Sequence, residues 1–92
     1  MTTVRIPPTL RPDAEGRREV TAGGTTVGEV LLDVAERFPA LRARIFENGN
    51  IARFVNVYVG GEDIRTQDGL STPVGDDATV ILLPAMAGGV GR

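Results

Sequence analysis

Residues 26–38 carry an unbroken helical stripe. Val27, Val30, Leu31, Val34, Ala35 and Phe38 recur at i, i+3, i+4, i+7, i+8 and i+11, the spacing that lines up apolar side chains on one face of an α-helix. Glu29, Asp33, Glu36 and Arg37 fall on the opposite side. Thr26, followed three residues later by Glu29, is a capping-box pattern: the hydroxyl satisfies an orphan amide at the helix start and the carboxylate reaches back. Pro39 stops the helix, because the residue before a proline is pushed out of the helical region. Leu41 and Ile45 predict another helical turn or two before Asn48-Gly49-Asn50 breaks the chain. At 92 residues the chain is one domain, so this stripe must find its cover in the short segments around it.

Those segments read as strands. Val4-Arg5-Ile6 alternates and is stopped by Pro7-Pro8, residues 9–14 are loop-like, and Glu15-Gly16 turns the chain into a second extended segment over 17–21. The two predict an antiparallel hairpin. Over residues 53–59, period 2 puts Val55, Val57 and Val59 on one face and Phe54, Asn56 and Tyr58 on the other. Gly60-Gly61 is a tight-hairpin dipeptide that should return residues 63–65 antiparallel. The last strand, residues 79–83, is apolar on both faces and ends at Pro84; such a strand belongs in the middle of a sheet with both sides covered, here beside the first strand. Strand pairs with one main helix give an α+β fold, a β-grasp roll with a mixed sheet covered on one face by that helix. The domain is expected over residues 1–84. Residues 85–92, rich in Gly and poor in apolar area, are expected to form a flexible C-terminal tail.

Composition narrows the chemistry. All ten basic residues are Arg, against twelve Asp and Glu, and there is no Lys, His or Cys. That removes disulfides, thiolate and imidazole metal sites, cysteine nucleophiles, Ser-His-Asp triads and Schiff-base lysines. A stand-alone catalyst would have only Asp, Glu, Arg, Tyr and hydroxyls to work with. No metal and no cofactor is expected. The net charge of -2 gives no broad pull toward nucleic acid or an anionic membrane. No apolar run approaches the ~20 residues of a bilayer span, and the first residues carry no signal-peptide pattern, so a cytoplasmic location is expected.

The whole chain, over about residues 3–89, resembles the ThiS/MoaD family of ubiquitin-like sulfur carriers, and within it most closely the CysO type. The residues carrying the resemblance are Arg53-Phe54-Val55-Asn56-Val57-Tyr58-Val59, Glu62-Asp63-Ile64-Arg65, Gly69-Leu70, Asp76-Asp77 and Val80-Ile81-Leu82-Leu83-Pro84-Ala85-Met86-Ala87-Gly88-Gly89. Ile6-Pro7 with Leu10-Arg11-Pro12 adds to it. The resemblance implies a carrier without catalytic residues, whose chemistry sits on its own terminal glycine. An ATP-dependent adenylyltransferase resembling ubiquitin-activating enzymes would adenylate Gly89, and sulfur would then replace AMP to give a thiocarboxylate. Gly88 would keep the chain end narrow enough to enter the adenylation cleft. The implied sulfur acceptor is a pyridoxal-phosphate cysteine synthase, whose bound aminoacrylate the thiocarboxylate would attack. Val90-Gly91-Arg92 follows Gly89 here, which implies a precursor trimmed at the Gly89–Val90 junction by a JAMM-type zinc protease.

Other readings stay open beside this one. Within the family they are the small subunit of molybdopterin synthase and the thiamin-thiazole carrier. Outside it they are a ubiquitin-like modifier joined through Gly89 and a binding module that never reacts. Phe54, Asn56 and Tyr58 form either a partner face on an uncovered sheet or a surface hidden by residues 66–75.

Overall fold

The last strand runs through the centre of the sheet. In the computed structural model, which describes residues 1–84, five strands lie in one mixed sheet: β1 (Thr2–Arg5), β2 (Glu19–Ala22), β5 (Val55–Val59), β6 (Glu62–Asp63) and β7 (Thr79–Pro84). Their order is β2-β1-β7-β5-β6. β7 is parallel to β1, with Val4 beside Val80 and Arg5 beside Ile81, and antiparallel to β5 from Val59–Val80 to Val55–Pro84. β1 and β2 form the expected antiparallel hairpin. A smaller pair, β3 (Phe46–Glu47) and β4 (Asn50–Ile51), stands apart.

Helix α1 (Val27–Arg37) starts where the capping pattern placed it. The Glu29 amide donates to Thr26 Oγ1 at 3.2 Å. The returning carboxylate reaches one residue further back than expected, accepting from the Thr25 amide at 2.8 Å and the Thr25 hydroxyl at 3.0 Å. These bonds to Thr25, backbone first, lower the Glu29 pKa below its ordinary value. Gly24 lets the chain enter the helix so tightly: its φ is +146°, and a Cβ there would lie 2.8 Å from Glu29 Cβ and 2.9 Å from the Val30 nitrogen. After Phe38, α2 (Pro39–Ile45) buries Leu41 and Ile45. Val27, Val30, Leu31 and Val34 join Val4, Val20, Val55, Val57, Val80 and Leu82 in a single buried cluster. The stripe therefore covers one sheet face, built from alternate residues of each strand.

Four expectations need correction. Residues 9–14 are not a loop but most of a 3-10 helix, Pro8–Ala14, that buries Leu10 and Ala14. The return strand after Gly60-Gly61 ends at Asp63, because its carboxylate accepts the Arg65 amide at 2.8 Å and turns the chain into a 3-10 segment, Ile64–Thr66. Asn48-Gly49 does more than break the chain: both residues take positive φ (55° and 79°) and form the tight turn joining β3 to β4. β7 is central as expected, but it is covered on one side only. Val80 and Leu82 are buried, whereas Ile81 is half-buried and Leu83 is 43% exposed. Both helices bury their apolar residues in the same core, so the second face stays open.

Candidate functional site: the open sheet face and the end of the central strand

Strand register lines up the residues of the open face. Across the sheet, Glu19, Arg5, Ile81, Tyr58 and Asp63 follow one another as cross-strand partners, one per strand. One step further along β7, Leu83 pairs with Asn56. Charged residues thus stand at the margins of this face, with an aliphatic and aromatic centre between them. Arg5 and Glu19 pair at 3.7 Å with both side chains more than half exposed, an ion pair of little net worth. At the other margin Arg65 is held more firmly. It donates to Asn56 Oδ1 at 2.7 Å and to the Val55 carbonyl at 3.1 Å, with the Asp63 carboxylate 3.5 Å away.

Asn56 and Tyr58 share this face, both half-buried, and residues 66–75 do not cover it: their 3-10 turn, Gly69–Ser71, packs against α1 instead. Phe54 is set apart from them. It lies in the turn before β5, is 56% exposed, and has the Arg53 guanidinium 5.7 Å from its ring centre. With Leu10, Arg44 and Pro84 it lines a hollow at the sheet's end. The three aromatic and amide positions therefore do not form one flat patch: Tyr58 sits opposite Ile81 in the middle of β7, Asn56 opposite Leu83 near its end, and Phe54 lies just before Val55, the partner of Pro84. Gly88, Gly89 and Val90 lie outside the described residues.

The sequence reading did not single out Ile81, Leu83 or Arg65 as surface residues. Ile81 and Leu83 have a signal, the double apolarity of β7, which equally suits a strand covered on both sides. Arg65 had none, since its contact with Asn56 depends on the hairpin geometry.

Among the described residues no group of His, Cys, Asp and Glu is arranged to hold a metal ion, and no helix is long and apolar enough to cross a membrane. No buried side-chain nitrogen or oxygen among them lacks a hydrogen-bond partner. The perturbed carboxylate, Glu29, is occupied in capping α1. What this arrangement offers chemically is a stiff platform that leads the chain out at Pro84.

Comparison with known proteins agrees with that geometry. The ThiS family model matches residues 4–89. The sulfur carrier protein CysO of Mycobacterium tuberculosis is 41% identical over 90 residues, covering 95% of this chain and 97% of its own. The crystal structure of the BexX/CysO complex of Amycolatopsis orientalis contains a chain that superposes with a TM-score of 0.89 at 42% identity, covering 96% of this chain and 99% of that one. Small archaeal modifier protein 1 of Methanosarcina acetivorans superposes with a TM-score of 0.84 at 31% identity, over 95% of this chain and 94% of that one.

Proposed function

The chain belongs to the ThiS family of ubiquitin-like sulfur carriers, and on that premise we propose that it carries sulfur on its own Gly89. The supporting observation is positional: the family match runs through residue 89, and Gly88-Gly89 follows the central strand by a few residues. Four residues lie between Pro84 and Gly89, which gives Gly89 a reach of at most about 18 Å when the segment is extended. Of the tail, residues 85–92, the part up to Gly89 is the delivery arm, and residues 1–84 are the domain that partners hold.

The chemistry needs no acid or base from this chain. Once Val90-Gly91-Arg92 is removed, a Gly89 carboxylate oxygen attacks the α-phosphorus of ATP and pyrophosphate leaves. A hydrosulfide sulfur then attacks the acyl carbon and AMP leaves, giving the thiocarboxylate. Two glycines at the end admit the chain to a narrow cleft and allow backbone angles closed to other residues. The partners in this reading are an adenylyltransferase, a JAMM-type zinc protease and a sulfur-accepting enzyme, all in the cytoplasm. Cysteine synthesis, with a pyridoxal-phosphate cysteine synthase as acceptor, is supported by the likeness to CysO proteins. Phe54, Asn56 and Tyr58, joined by Ile81 and Leu83, are the partner face.

The likeness to small archaeal modifier proteins favours one second reading, attachment of Gly89 to amines of other proteins. Intact mass separates the readings. Incubated with adenylyltransferase, ATP and sulfide, a chain ending at Gly89 should exchange one oxygen for sulfur, and the 92-residue chain should not. Exchange in the untrimmed chain overturns the processing step. Amide-linked products without exchange favour the modifier, and no reaction in either length favours a binding module.

A further inference from the structure

Beside the end of β7 lies a groove of about 730 Å³ whose charge runs against that of the whole chain. Its floor is Ile81–Pro84, and Arg5, Arg11 and Arg18 line it with Glu19 as the one carboxylate. The local balance is thus three guanidinium groups to one carboxylate, in a chain of net charge -2. The three arginines converge for a structural reason: each is tied to the dipeptide Arg5-Ile6. Arg5 belongs to it. Arg18 lies across the hairpin, its carbonyl accepting the Ile6 amide at 2.8 Å. Arg11 folds back from the 3-10 helix and donates Nε–H to the Ile6 carbonyl at 3.1 Å. That bond fixes the plane of the Arg11 guanidinium and uses only one of its five donors. Arg11 and Arg18 make no ion pair with any described residue. Pro7 and Pro8 complete the wall and bring no backbone N–H, so hydrogen-bond donation in this wall falls to the guanidinium groups.

We propose that this groove receives an acidic segment, rich in Asp or Glu, on the rim of the adenylating enzyme that takes the tail. The inference rests on the sulfur-carrier reading and adds to it the chemistry of the docking partner. Planar guanidinium forks match carboxylates in pairs. A local positive groove on an acidic protein orients the encounter, where net charge alone would repel an acidic surface. Position completes the argument: the groove floor is the stretch of β7 from which the chain leads on to Gly89, so carboxylates seated there hold the tail's origin beside the cleft it must enter.

The test uses chains ending at Gly89 with the adenylating enzyme, following sulfur gain by intact mass at varied carrier concentration. Arg18→Glu should raise the carrier KM about tenfold, and Arg17→Glu, with the same charge change but facing a different hollow, less than about twofold. Arg18→Gln should fall between them. Glu19→Gln, which removes the competing carboxylate, should lower KM. Added salt should narrow the gap between wild type and Arg18→Glu. Urea midpoints within error of wild type show that folding is not the cause. Equal effects of Arg17→Glu and Arg18→Glu would reduce the groove to a net-charge effect and overturn the proposal, as would unchanged KM in Arg18→Glu while the wild type still gains sulfur. A wild-type chain that gains no sulfur from a competent enzyme sinks the carrier reading instead, and the groove assignment with it.

Discussion

Leu82 and Leu83 are neighbours on the central strand, yet their truncation should have very different costs. Leu82 is 1% exposed and points into the cluster beneath α1, with β1 and β5 hydrogen-bonded on either side. Leu82→Ala removes about three carbon groups worth about 0.8 kcal/mol each, or about 2.4 kcal/mol of transfer energy. The strands on both sides limit collapse into the gap, so a cavity term brings the cost to about 3–4 kcal/mol. That is a large part of the roughly 5–14 kcal/mol expected for a domain of this length. Leu83 already shows 43% of its surface to water, and its truncation should cost about 1 kcal/mol or less. In urea, with a slope of about 1.5 kcal/mol/M, the midpoint should drop by about 2–2.7 M for Leu82→Ala and by about 0.7 M or less for Leu83→Ala. Equal drops, or a larger one for Leu83→Ala, would mean that the second face is covered and that the open-face argument is wrong.

Three further outcomes are expected. Phe54→Asp should weaken binding to the adenylating enzyme while shifting stability by no more than about 0.5 kcal/mol, since the ring is already exposed; a chain unfolded by this change would place Phe54 in the core. Gly24→Ala should destabilise by about 1–3 kcal/mol, measured by urea denaturation, because alanine disfavours φ +146° and its Cβ meets backbone and Glu29 at under 3 Å; an unchanged midpoint would refute the close approach. Glu29 has a folded-state pKa below its unfolded one, so its capping contribution is present above the unfolded value and lost as pH falls through the folded value. The stability gap between wild type and Glu29→Gln should therefore close on acidification, and a gap that widens there would contradict the Thr25 hydrogen bonds.

Features governed by local patterns were legible in the sequence. The stripe from Val27 to Phe38 and the Thr26–Glu29 pair predict α1 to within a residue at each end, because cap and period act over one or two turns. The central place of β7 was legible from its apolarity on both faces. Its open side could be read from the single long helix, which covers one sheet face, but not from β7 itself; the same double apolarity suits a strand covered twice and one that keeps a face for another molecule. The β3–β4 hairpin had its signal in Asn48-Gly49, among the strongest short-range turn signals, hidden beneath the helical spacing of Leu41 and Ile45. Arg65 lay beyond reach altogether. Its grip on Asn56 joins residues nine apart across the Gly60-Gly61 turn, and no periodicity encodes such a contact. Of the candidate site, the residues around β7 were legible one by one; the groove of Arg5, Arg11 and Arg18 emerges only when three separate segments fold onto Ile6.

The place of β7 also has a mechanical consequence. Consider a pull on Pro84 along the axis of β7. That strand is bonded on one side to β1 over three register positions and on the other to β5 over five. Its inter-strand hydrogen bonds run across the direction of pull, so they are loaded together in shear rather than peeled open one after another. A terminal strand at the sheet edge, pulled sideways, would unzip. Here such traction is shared between both neighbouring strands at the centre of the sheet.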